Sequence, residues 1–154
     1  MRAAVLSGPG EMALEGRDLP EPLADQALLA PLRVGICGTD LHIFQGHFGS
    51  RVPPGSVLGH ETLCEVISAP PGSGLREGQR AVVDPVVSCG RCRACEIGAY
   101  YICANLRLMG VDTPGGLQER WAVPAANVIP VPDSMDDATA AMMEPLTVAV
   151  HDVN

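Results

Sequence analysis

Four cysteines within fifteen residues, in the run CGRCRACEIGAYYIC, constrain this chain more than any other feature. Cys89, Cys92, Cys95 and Cys103 follow a C-x2-C-x2-C-x7-C spacing, and a loop this tight can wrap four thiolates around one ion. Four thiolates close a tetrahedral zinc shell and leave no position for a substrate, so an ion held there is structural. The loop has little apolar material of its own, so the metal is expected to supply the folding energy of a lobe spanning about residues 88–105. A redox C-x-x-C pair and disulfides are the competing readings. Three close cysteines with a fourth in reach, in a chain whose start does not resemble a signal peptide, favour metal over both.

The rest of the chain reads as short strands joined by turns. Gly 17 and Pro 14 give about one residue in five to turns, and apolar residues make up 47% against 18% charged. Strand-like runs recur at Ala3 to Leu6, Ala27 to Val34, Leu63 to Ser68, Arg80 to Val83, Gln118 to Val123 and Asn127 to Val131. Such spacing predicts a mainly β fold with short helices, a barrel or sandwich. Towards the end, Ser134 is expected to cap a helix starting near Asp136, with Pro145 breaking that helix or opening a new one in its first turn. No G-x-G-x-x-G follows a strand, so a dinucleotide-binding unit is not expected within these residues.

Charge narrows the partners. A net charge of −8, from ten Arg and no Lys against 18 acidic residues, offers no basic stripe for a phosphate backbone, so nucleic acid is excluded. No apolar run approaches the roughly 18 residues that a membrane span needs, and a soluble cytoplasmic protein is expected.

A second set of metal-ligating residue types is dispersed: Cys37 in GICGTDLH, His60 and Glu61 in LGHE, and Glu144 in MMEPL. Each is weak alone, since a lone Cys or His is more often a core or surface residue and a Glu on a last helix is more often a solvated charge. Only their joint pattern raises them.

With CGTDLH, GHE, the four-cysteine lobe, the pair Gly115 and Gly116, and EPL in that order, the chain resembles the zinc-dependent medium-chain dehydrogenases along its whole length. The resemblance implies a GroES-like, partly open β-barrel over residues 1–154, ending in a helical segment that leads to a Rossmann domain outside these residues. It also implies two zinc ions, one structural and one catalytic, with NAD or NADP as hydride acceptor in a full-length homo-oligomeric enzyme. Cys37 and His60 then look like catalytic zinc ligands, with Glu61 and Glu144 as carboxylates that bind the ion directly or hold its water. A Glu at the fourth position resembles the polyol and threonine dehydrogenase branch. Thr39 and His42 resemble the family's proton relay, and Asp40 is expected to accept a hydrogen bond from His60 and fix its ring. Phe44 and Phe48 are expected either to line a substrate pocket or to pack in the core.

Two departures from the family follow GHE: Cys64 and Pro70 stand where glycines are usual, so a modified strand path is expected there, with Cys64 a small buried thiol rather than a ligand. The implied activity is oxidation of a secondary hydroxyl on a polyol, sugar acid or related small alcohol. The alternatives are a dehydrogenase of an amino alcohol or aminocyclitol, and a non-catalytic zinc-stabilised binding module.

Overall fold

Apolar alternation in the central strands dictates a sheet buried on both faces, and the computed structural model, described for residues 1–153, has one. Five antiparallel strands run in the order β8-β3-β4-β5-β9: β3 Gln26–Gly35, β4 Glu61–Ser68, β5 Arg80–Val83, β8 Trp121–Pro124 and β9 Val128–Pro130. Within β4 and β5, Cys64, Val66, Ala81 and Val83 point to one core with Leu29, Trp121 and Val123. Their neighbours Leu63 and Val82 point to the opposite face, against Val131 and Ala140. Period-two alternation thus builds two cores from one sheet. Truncating the fully buried Leu63 to Ala would cost about 2–5 kcal/mol.

Register shifts between Leu28 and Leu29 and between Pro31 and Arg33 mark bulges in the β3–β4 pair, and the sheet curls into the open half-barrel of a GroES-like fold. The second bulge faces Cys64, at the first of the two positions where the strand path was expected to change. Pro70 lies two residues beyond the end of β4 and costs no ladder hydrogen bond.

The hairpin of β1 Arg2–Gly8 and β2 Glu11–Gly16 closes one side, its β1 bonded to Leu117 and Ser56. The run EMALEG has helix-forming composition and four of its first five side chains exposed, so nothing in its pattern predicts β2. Pairing with β1 across the turn at Gly10 overrides propensity. Two-residue strands β6 Val86–Val87 and β7 Arg107–Leu108 form the neck of the cysteine lobe.

Among the described residues, four α-helices complete the fold: α1 Gly38–Phe44, α2 Arg93–Glu96, α3 Asp137–Ala141 and α4 Met143–Val153. The expectation of a Ser134 cap is corrected. Asp136 caps α3, its carboxylate accepting from the N–H groups of Ala138 and Thr139 at 3.1 and 3.0 Å, two of the donors that a helix start leaves unpaired. Pro145 sits in the first turn of the separate helix α4, where its missing N–H costs nothing. Arg80 ties this end to the sheet, donating to Asp137 at 2.6 Å and to the carbonyls of Pro132, Asp133 and Met135. Among the described residues, no helix is long and apolar enough to cross a membrane.

Candidate functional site

The lobe brings its four cysteines together. The sulfurs of Cys89, Cys92, Cys95 and Cys103 all lie within 4.8 Å of one another, with Cys92 Sγ 3.6 Å from Cys95 Sγ and 3.9 Å from Cys103 Sγ. All are free thiols. Backbone amides point at them: Cys103 Sγ accepts from the N–H groups of Cys89 and Asn105 at 3.2 and 3.3 Å. The Arg91 amide, foremost among several donors, holds the Cys89 thiol down to about 6, and the Cys95 amide lowers Cys92 as well. At Cys103 the amides pull the same way, but burial and the neighbouring thiols outweigh them and raise it, so the lobe favours thiolate at Cys89 and Cys92, which suits a soft cation.

Cys37, His60 and Glu61 converge on a second point, their donor atoms also within 4.8 Å of one another. Three local structures bring them there. Cys37 is the N-cap of α1, its Sγ accepting from Thr39 N–H at 3.2 Å. His60 precedes β4, and Glu61 opens it opposite Gly35. A Cβ on Gly35 would overlap the Glu61 carboxylate, so the glycine makes the space that this side chain fills. Gly115 and Gly116 act from the other side, their amides bonding the carbonyls of Val57 and Gly59 at 2.8 Å while their Cα atoms pack where any Cβ would strike Gly59 and Thr62. Gly59 itself has φ +93°, a conformation that favours glycine. The GG pair therefore aligns the backbone that presents His60.

Asp40 does not hold His60 as expected. Its Oδ1 lies 3.8 Å from His60 Nδ1, too far for a hydrogen bond, and that buried nitrogen has no partner. The carboxylate instead accepts from Cys37 N–H at 3.0 Å, closing a capping box, and from Gly59 N–H at 3.3 Å. Asp40 thus staples α1 to the segment before β4 and sets the approach of Cys37 to His60, whose Sγ and Nε2 are 3.1 Å apart.

Glu144, on α4, lies outside the 4.8 Å group but borders it. Burial leads in holding its carboxyl above the ordinary value; His60 opposes the shift, and Glu61, Asp84 and Asp40 add to it. Sequence reasoning missed Asp84, which the end of β5 brings to this cluster and whose only signal was an acid before a proline. The thiol, imidazole and carboxylate of Cys37, His60 and Glu61 are a donor set that fits a divalent cation, which would also relieve the repulsion felt at Glu144.

Thr39 is half-buried in the first turn of α1, and His42 is exposed in its last. His42 meets a residue that sequence reasoning left unassigned, His47, with their Nδ1 atoms 3.1 Å apart. Phe44 and Phe48 are partly buried and pack against the core of Leu6, Ile43, Val52, Leu58 and Val111, and Phe48 also lines a cavity beside Leu6 and Val52. Cys64 is fully buried and its thiol is pushed up by that burial, as befits a core residue.

Known proteins resemble this chain over most of its length. The alcohol dehydrogenase GroES-like domain family matches residues 24–133. The chain is 42% identical over 133 residues to 2-dehydro-3-deoxy-L-galactonate 5-dehydrogenase of Pseudoalteromonas atlantica, covering 86% of this chain and 39% of the relative. It is 39% identical over 139 residues to L-threonine 3-dehydrogenase of Pyrococcus horikoshii, covering 88% and 40%. The crystal structure of a protein described as the short chain alcohol dehydrogenase rspB from Escherichia coli CFT073, complexed with NADH, superposes with a TM-score of 0.89 at 36% identity, over 97% of this chain and 44% of that one. The chain spans less than half the length of these relatives. On these matches and this fold, the chain belongs to the zinc-dependent medium-chain dehydrogenase family and carries its GroES-like domain.

Proposed function

We propose that residues 1–154 are the metal-bearing catalytic domain of a dehydrogenase that oxidises a secondary alcohol of a polyol, sugar acid or related small alcohol, passing hydride to NAD or NADP on a further domain. The observation that carries this reading is the convergence of Cys37, His60 and Glu61 beside the half-buried Thr39, with Glu144 at its border. Cys37, His60 and a carboxylate from Glu61 or Glu144 would hold a catalytic zinc, and Cys89, Cys92, Cys95 and Cys103 a structural one. An ion at the first site would supply Lewis acidity to a substrate hydroxyl. Thr39 takes the substrate proton at its hydroxyl and passes its own on toward His42, at the solvent face of α1. Asp40 keeps both ligand backbones in register through its bonds to Cys37 and Gly59.

Similarity to the threonine dehydrogenase supports a second reading, an amino alcohol as substrate. Turnover of the longer enzyme on a panel of polyols, sugar acids and amino alcohols separates the two. For either reading, Thr39→Ala should lower turnover roughly 10²–10⁴-fold with zinc content unchanged. Unchanged turnover, with hydride transfer shown to limit the rate, removes the relay. Residues 1–154 expressed alone should hold zinc and neither bind nor reduce a nicotinamide cofactor. Micromolar cofactor binding by calorimetry would overturn the division into domains.

A further inference from the structure

The C-terminal turn of α1 does more than end a helix. Gly46, at φ +85°, reverses the chain so that Gly46 N–H bonds Ile43 O at 2.8 Å and His47 N–H bonds His42 O at 3.0 Å. This is the paired bonding of a Schellman turn, and it folds His47 back over the helix. The two imidazoles end with ring centroids 5.4 Å apart, tilted by 35°, and with Nδ1 facing Nδ1 at 3.1 Å. Both rings are exposed. The turn that follows carries Arg51, which is committed to Asp112 through bonds of 2.9 and 3.0 Å.

Two imidazole nitrogens at this distance hold one proton between them: one ring donates N–H and the other accepts. When His42 is the donor, its Nε2 is an unprotonated acceptor, which is the state a relay needs. We propose that His47 is the outlet of the proton relay, a residue that positions the His42 tautomer and carries its proton to water. A proton arriving at Nε2 of His42 forms a new N–H there, and the Nδ1 proton of His42 moves along the shared hydrogen bond to Nδ1 of His47. His47 then loses the proton on its Nε2 to water. The first transfer breaks an O–H bond and makes an N–H bond, the transfer between the rings exchanges one N–H for another, and the last breaks an N–H bond and makes an O–H bond on water, so bonds balance throughout and no electron changes hands. Exchange with water at the exposed rings resets the tautomers. This inference rests on the relay through Thr39 and His42.

Two measurements test it. Long-range 1H–15N spectra of this chain should show a single proton shared between the Nδ1 atoms, and His47→Gln should shift the His42 tautomer ratio while leaving the melting temperature unchanged. Two rings that titrate independently, each unaffected by loss of the other, would overturn the proposal. In the longer enzyme, His47→Gln should slow turnover in dilute buffer by less than the roughly 10²–10⁴-fold of a lost acid–base group, with zinc content intact, and added imidazole should restore it. Full turnover in dilute buffer would overturn the outlet even if Thr39→Ala is slow. If Thr39→Ala is also at full speed, the relay itself is what fails.

Discussion

The cysteine lobe and the Cys37 cluster gather metal-ligating side chains to the same tightness, within 4.8 Å, by opposite routes. The lobe draws its four sulfurs from fifteen consecutive residues and has scarcely any regular structure: a four-residue helix, a single 3-10 turn and a two-stranded neck. The cluster draws one side chain from a helix cap and two from the entry to a strand, and borders a carboxylate on α4, so the whole barrel must fold to assemble it. A local site can use metal to form its fold; a dispersed site relies on a fold that already exists.

Cys95→Ser should separate the two most sharply. With three thiolates the lobe loses affinity and its folding contribution, and the melting temperature should fall by roughly 5–10 °C while the Cys37 cluster keeps its metal. An unchanged melting temperature with full zinc content would remove the distinction. Gly35→Ala acts the other way. Its Cβ would push on the Glu61 carboxylate, so metal affinity at the cluster should drop about 10–100-fold with the lobe untouched. Equal affinity in wild type and variant, by competition with a chelator, would show that Glu61 needs no such space.

What sequence reasoning could read tracks the same contrast. Four cysteines at fixed spacing announce the lobe without any knowledge of tertiary structure, and the strand β5 matches its expected range, Arg80 to Val83. Asp40 was misread because its partners are backbone amides, those of Cys37 and Gly59, and no residue type reports which amide a carboxylate will meet. The strand β2 escaped because its neighbour, not its own alternation, makes it a strand. Asp84 and His47 reach their places only through the end of β5 and the turn at Gly46.

The smallest expected effect lies at Glu144. Burial raises its carboxyl in the folded protein, so its contribution to stability is full below the unfolded value of 4.5 and is lost as pH rises through the higher folded value. In metal-free protein at neutral pH, Glu144→Gln should therefore raise the melting temperature slightly, and the gain should vanish below pH 4.5. With metal bound the substitution should destabilise instead. The same sign in both states would place Glu144 away from the ion.

The central claim is that the chain holds two metal ions in two independent donor sets. Elemental analysis of the purified chain, after loosely bound ions are removed, tests it most directly. The account predicts two zinc ions per chain, falling to one in a Cys37→Ala, His60→Ala double variant that stays folded. One zinc per chain in the wild type would contradict it.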